Sequence, residues 1–300
     1  MRFGKWPTQG MAKESVVSLK DVSFTYQGSS KPALRRVNLD LGAGEFVLVT
    51  GPSGSGKTSL ARLITGLIPN SYPGEISGEA KVFGESIVGS KVHTVAQKAG
   101  LVLQNPENQL FALTVEDDVA FGPENLALPM DEIVKRVDWS LAMTGLEDQR
   151  HRPPFELSGG YQQRAAIAGV LAMKPKLLVL DEPTSSLDSL AARNFVKFLT
   201  RLCSEIGATV LVIEQRLELF YTVSDRLVVI EDGSSVVDAP PLPALDQCLT
   251  NKLPVNYPFS YLFWKRYGST TKHGAKKPLP EPSEYVKPIL QRRGDRIDPH

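Results

Sequence analysis

Residues 51–58 read GPSGSGKT, and few octapeptides restrict a fold as tightly. The string satisfies G-x-x-x-x-G-K-[ST] at every fixed position, the pattern of a loop that wraps the phosphates of a nucleoside triphosphate. The apolar run Phe46, Val47, Leu48, Val49 before it reads as a buried strand, and Leu60, Ala61, Leu63, Ile64 and Leu67 after it fall at helical spacing. The loop therefore sits between strand and helix. Gly51, Gly54 and Gly56 let the backbone approach the phosphates, and the loop amides with the positive helix end supply charge complementarity around Ser53, Ser55 and Ser59. Lys57 is expected to neutralise the β and γ oxygens, and the Thr58 hydroxyl to ligate Mg2+.

Bulk composition narrows the partners. The chain has 300 residues, 42% hydrophobic and 22% charged, enough for one large domain or a domain plus an appendage. A formal charge of +1 gives no global basic field of the kind that grips nucleic acid, so no nucleic-acid partner is expected. Cys203 and Cys248 lie far apart without metal-ligand spacing, which implies a reducing compartment and structural thiols. No signal-peptide core opens the chain and no eighteen uncharged apolar residues run together, which points to a cytoplasmic protein that serves a membrane only through other subunits.

The chain divides into three stretches. Residues 1–14 are polar and patternless and are expected to be a disordered leader, with Met11 as an alternative start. Residues 15–238 form the main domain. Within it, Val17, Leu19, Val22, Phe24 and Tyr26 keep a two-residue period with a slip at Asp21 that suggests a bulge, and Val37, Leu39 and Leu41 form a second alternating strand. Short apolar runs at 101–103, 177–180, 210–213 and 227–230, most followed by helical patterns, argue an α/β fold with a largely parallel sheet. Residues 114–173 hold helices alone: Ile133, Val134, Val137 and Leu141 make one stripe, closed by Gly145. Residues 239–300 differ in kind, with 10 of the 22 prolines and the aromatic run YPFSYLFWKRY at 257–267, and their end is expected to be mobile.

Two further strings complete a chemistry. In KLLVLDEPT, residues 176–184, Asp181 ends an apolar strand where it can hold the metal, and Glu182 is placed to orient or deprotonate the attacking water. In LSGGYQQR, residues 157–164, Ser158, Gly159 and Gly160 precede a helical run ending near Met173 and stopped by Pro175. This is a second anion-binding helix start. One nucleotide is not easily gripped end-on by two such starts from one domain, so the economical arrangement sends the second to a nucleotide held by another chain.

With these motifs in this order, residues 17–238 resemble the ATP-binding cassette (ABC) ATPases, in which LSGGQ-like signatures close the partner's site in a head-to-tail dimer. The resemblance implies a P-loop NTPase with a mostly parallel core sheet, an antiparallel β subdomain and an inserted helical subdomain, binding ATP and Mg2+. By position it assigns Tyr26 to stacking on adenine, Gln104 to magnesium or water, and residues 185–188, with Asp188, to contact with the partner's phosphate loop. Tyr161 stands where the family usually has Gln. Gln215 stands where it has a histidine on the γ-phosphate, so hydrolysis at this site is either slowed or sustained by the amide.

Around Gln104 the text LVLQNPENQLFALTVEDDVAFGPENLALP, with VIEQRLE later, resembles the ATPases of energy-coupling-factor (ECF) importers of vitamins and cobalt. That branch implies a second ABC ATPase chain, like or unlike, a transmembrane coupling subunit received by a short helix at 105–111, a substrate-binding membrane subunit, and a peripheral place on the cytoplasmic membrane face. The acidic trio Glu116, Asp117 and Asp118 either attracts basic residues of the coupling subunit or caps a helix. Another ABC transporter class and a soluble cassette ATPase are the rival readings. In the tail, Tyr257, Phe259, Tyr261 and Phe263 recur at every second residue, suited to packing on the main domain, to a dimer contact or to a membrane surface.

Overall fold

Strand β1 (Ser15–Tyr26) buries Val17, Leu19, Val22 and Phe24 in the computed structural model, which describes residues 14–267. Its register against β2 (Leu34–Gly42) slips between Leu19 and Val22, where Asp21 sits at φ +50, so the bulge falls where the hydrophobic period breaks. β3 (Phe46–Thr50) is buried at every residue, as a strand covered on both faces requires. Helix α1 (Lys57–Ile64) leaves the phosphate loop and buries Leu60, Ala61, Leu63 and Ile64. It ends before Leu67, contrary to the apolar spacing. Gly66 turns the chain at φ +73, and Leu67 opens a separate short helix, α2 (Leu67–Asn70).

β4 (Gly74–Val82) and β5 (Glu85–Ser86) complete an antiparallel sheet in the order β2-β1-β4-β5. Here Gly78, at φ +87, passes so close to the bulge that a Cβ would stand 2.4 Å from the Asp21 carbonyl oxygen. Only glycine fits there. After α3 (Val92–Ala96) and β6 (Ala99–Val102), three helices follow: α4 (Val115–Asn125), α5 (Met130–Thr144) and α6 (Gly159–Leu171). They share an apolar cluster of their own built on Val115, Val119, Ile133, Val137, Leu141 and Ala165. Val134 does not join the stripe and is 49% exposed, while Gly145 closes α5 at φ +67.

The second half returns to sheet with β7 (Leu177–Asp181), α7 (Ser189–Ile206), β8 (Thr209–Ile213), α8 (Leu217–Phe220), β9 (Arg226–Glu231) and β10 (Ser234–Ala239). α7 shows why such segments are helical. Ala192, Phe195, Val196, Leu199, Leu202 and Cys203 recur at three- and four-residue spacing, Asp188 caps the start and Gly207, at φ +64, ends the last turn. Each fully buried Leu of this kind contributes about 2 kcal/mol by leaving water. The sheet order is β10-β9-β3-β8-β7-β6, parallel throughout except for the β10 edge.

Side chains of the parallel strands alternate between two clusters. Val47, Val49, Leu177, Val179, Leu211 and Ile213 face α1 and the antiparallel sheet, while Leu48, Leu178, Leu180, Val210 and Val212 face α6 and α7. Two last helices, α9 (Pro241–Thr250) and α10 (Phe259–Tyr267), cover the second face. Tyr261 is 0% exposed inside it. The aromatic run from Phe259 onward is thus a helix rather than a two-residue alternation, and it packs Tyr261 on its own chain while Phe259 stays 59% exposed. The C-terminal ends of β3, β8, β7 and β6 lie next to one another, and the loops leaving that edge converge.

Candidate functional site

The phosphate loop leaves β3 under tight steric control. Gly51 holds φ +144, and a Cβ there would meet the Ile230 carbonyl oxygen at 2.0 Å; at Gly56, φ +104, it would meet the Ala33 carbonyl oxygen at 2.4 Å. Glycine is therefore required at both ends of the turn that aims the loop amides inward. Lys57 folds into the loop, its Nζ donating to Gly51 O at 2.9 Å and Pro52 O at 2.7 Å. Burial lowers its pKa, against the opposing pull of Glu182 and Asp181. Ser55 Oγ is buried without a partner, while Ser53 and Gly54 are exposed at the loop tip.

Asp181 ends β7 at 6% exposure. Burial raises its pKa, the Thr58 hydrogen bond lowers it, Glu182 raises it, and Arg62 and Lys57 lower it. Asp181 and Thr58 together offer the hard oxygen donors that Mg2+ accepts alongside phosphate and water. The orphaned Ser55 hydroxyl, the buried ammonium and this oxygen pair fit a magnesium-bound triphosphate.

Glu182 is the centre of the constellation. Its backbone holds φ +46, with its amide donating to Ile213 O at 2.8 Å, an uncommon conformation for a residue with a side chain. Gln104 Nε2 donates to one carboxylate oxygen and Gln215 Nε2 to the other, each at 2.8 Å. Gln215 Nε2 also approaches Ser53 Oγ at 3.4 Å, which links Glu182 to the phosphate loop. The three residues come from loops after β6, β7 and β8, 78 and 33 positions apart in sequence. Each carboxylate oxygen keeps a lone pair for a water.

Other expected site residues are placed differently. Tyr26 lies beside α1, its hydroxyl 3.0 Å from Ser59 Oγ and accepting from Arg62 at 3.3 Å, with its ring edge-on to Phe24 and Tyr72. Ser158 is exposed at the start of α6 and caps nothing with its side chain. A Cβ on Gly160 would meet nothing within 4 Å, and one on Gly159 would meet only Leu187 at 3.8 Å. No hydrogen bond among the described residues joins this helix start to the phosphate loop. Asp188 is engaged within the chain, accepting from Leu190 N at 2.8 Å and Ala191 N at 2.9 Å.

The acidic trio is not free either. Glu116 pairs with Arg150 at 3.3 Å, Asp117 accepts from the Thr114 hydroxyl at 2.6 Å, and Asp118 is buried and accepts from Phe111 N and Ala112 N. Residues 105–111 hold only a 3-10 turn, Pro106–Asn108. Exposed apolar side chains stand among them: Phe111, Leu113 and Phe121, with Phe111 edge-on to Phe121. Sequence reasoning also passed over Glu214 and Arg216, although a charged pair at the exit of the apolar strand VLVI was the available signal.

Comparisons with known proteins identify the family. The ABC transporter family profile matches residues 34–185. A Methanosarcina mazei protein named, by inference, as an ABC transporter ATP-binding protein is 44% identical over 232 residues, covering 77% of this chain and 39% of that one. The chain spans about two fifths of the length of such curated relatives. A Pyrococcus horikoshii protein named in the same way is 40% identical over 257 residues, covering 84% of this chain and 90% of its own. Among solved structures, cbiO1 from Clostridium perfringens, part of the ABC transporter complex cbiONQ, superposes with TM-score 0.72 at 29% identity, covering 87% of this chain and 98% of that one. The dimeric cassette MJ0796 bound to ADP and Pi gives TM-score 0.65 at 31% identity, covering 75% and 98%. The chain therefore belongs to the ABC transporter family and carries its ATP-binding, ATP-hydrolysing cassette.

Proposed function

We propose that this chain is the ATPase subunit of an ECF-type importer of a vitamin or a transition-metal ion, working as a head-to-tail pair of cassettes on the cytoplasmic face of a membrane. The observation that carries the chemistry is Glu182 held between Gln104 and Gln215 beside the phosphate loop. Lys57 leaves its loop carbonyls for the β and γ oxygens of ATP, the loop amides take the remaining phosphate oxygens, and Tyr26 stacks on adenine. Thr58 and Asp181, with Gln104 as a further candidate, would hold Mg2+, which would supply charge neutralisation. A water facing the γ-phosphate gives its proton to a Glu182 oxygen, while the Gln104 and Gln215 amides fix that carboxylate's orientation. Gln215 performs this positioning without a titrating ring.

The exposed start of α6 supports the paired arrangement, because the Ser158 side chain makes no capping bond and a Cβ on Gly160 would meet nothing within 4 Å. In the pair Ser158, Gly159 and Gly160 meet the γ-phosphate held by the partner cassette, with Asp188 close to the partner's phosphate loop. ATP then favours the closed pair and its hydrolysis releases it. The likeness to cbiO1, itself part of a cbiONQ complex, supports the ECF branch. So do the exposed apolar side chains Phe111, Leu113 and Phe121, which follow Gln104 along the chain and suit the coupling helix of a membrane subunit. No described helix is long and apolar enough to cross a membrane, so in this reading passage belongs to the coupling and substrate-binding subunits.

Glu182→Gln tests the mechanism. The variant is expected to retain ATP and sediment as a closed dimer, and an ATP-loaded monomer in analytical ultracentrifugation overturns the paired site. Co-purification of a multi-spanning coupling subunit and a small membrane receptor from native membranes tests the importer assignment.

A further inference from the structure

Behind the Glu182 clamp lies a polar buckle that no step above uses. Glu214 is 2% exposed, yet its carboxylate is satisfied: one oxygen accepts from Gln215 N at 2.9 Å and Arg216 N at 3.0 Å, and the other from the buried Thr184 hydroxyl. Arg216 crosses in the opposite direction, its Nη1 donating to Thr184 O at 2.9 Å and Leu187 O at 3.0 Å. Two segments about thirty positions apart are thereby tied twice, once by a carboxylate and once by a guanidinium. One segment carries Gln215. The other runs from Glu182 through the exposed Ser185 and Ser186 to Asp188. The Glu214 amide also donates to Val49 O at 2.9 Å, which anchors the buckle to the strand that feeds the phosphate loop.

The pattern is more than packing requires. Leaving a buried carboxylate and a cation at a loop junction is costly unless each bond is made, and an apolar pair would fill the space more cheaply. What the polar version adds is a fixed geometry between two loops that carry different parts of the chemistry. We propose that Glu214 and Arg216 are positioning residues that fasten residues 184–187 to Gln215, so that the reach of Gln215 to Glu182 and the place of the 185–188 loop change together. Resting on the paired-cassette reading, the buckle also carries the nucleotide state of one site to the loop that meets the other.

Arg216→Met removes the donors and keeps the stem, and Arg216→Lys restores one cationic donor on a shorter arm. In hydrogen exchange on the nucleotide-free full chain, Arg216→Met is expected to speed residues 185–187 and 215–217 together by about tenfold while β3 and α7 keep their protection, and Arg216→Lys to recover part of it. In ATP hydrolysis, Arg216→Met is expected to lower kcat about tenfold with KM within about twofold, and to cost less than about twofold more once Gln215→Ala is present. Acceleration of one segment alone, or losses that multiply in the double variant, overturns the proposal. A wild-type chain without ATP turnover would sink the functional reading instead, and the exchange measurement would still decide on the link.

Discussion

Burial sets the chemistry of Asp181 against the stability of the nucleotide-free chain. Its pKa stands above the usual carboxylate range chiefly because burial disfavours the charge. A group whose folded pKa exceeds its unfolded value contributes stability fully below the unfolded value of about 4, and loses it as pH rises through the folded one. At neutral pH the ionised Asp181 is therefore a local cost that Thr58 and Lys57 only partly offset. Asp181→Asn is expected to melt at or above the wild type at about pH 7 without nucleotide, with the advantage gone near about pH 4, while phosphate release falls about hundredfold. Calorimetry at the two pH values and a phosphate-release assay check this, and a lower melting point at neutral pH would refute the account. The free thiols behave simply by comparison: burial pushes Cys203 up to about 12 and Cys248 up to about 11, as structural cysteines.

At the scale of elements, legibility followed how much of the signal was local. The phosphate loop, the apolar strands and the start of α6 were readable because each is specified by contiguous residues. β4 was not, since GEISGEAKV alternates weakly and holds its place through Gly78 against the Asp21 bulge, a contact between distant segments. The clamp on Glu182 was half legible: its members were named, but their mutual bonds depend on strand order. The buckle of Glu214, Thr184 and Arg216 showed in the sequence only as a charged pair beyond the strand VLVI, because its bonds also depend on strand order. α10 misled because a burst of aromatics also fits a two-residue period; what decides is Tyr261, whose hydroxyl reaches Asp246 at 2.7 Å beside Lys265, with Tyr221 and Ser260 hydroxyls paired at 2.6 Å. Tyr261→Ala is expected to lower unfolding free energy by about 3 kcal/mol and Tyr261→Phe by about 1 kcal/mol in denaturant titration. Equal losses would mean that the hydroxyl, and not the ring, holds the helix.

For the molecule as a whole, the formal charge of +1 gives no global field to steer a membrane subunit, and of the acidic trio Glu116 is paired and Asp118 buried. Docking in the proposed importer then depends on apolar burial at Phe111, 66% exposed, and Leu113, 82% exposed, with Phe111 edge-on to Phe121 at 4.7 Å. Leu113→Asp is expected to abolish recovery with the membrane fraction while basal hydrolysis stays within about twofold, and raised salt is expected to leave wild-type recovery intact. Loss of wild-type recovery in salt would restore an electrostatic dock.

Tyr261 belongs to the same apolar layer as Phe46 and Leu48, more than two hundred positions earlier in the sequence. That layer therefore closes only when Phe46, Leu48 and Tyr261 are all present, so a fragment cut before α10 leaves its apolar side chains open to water.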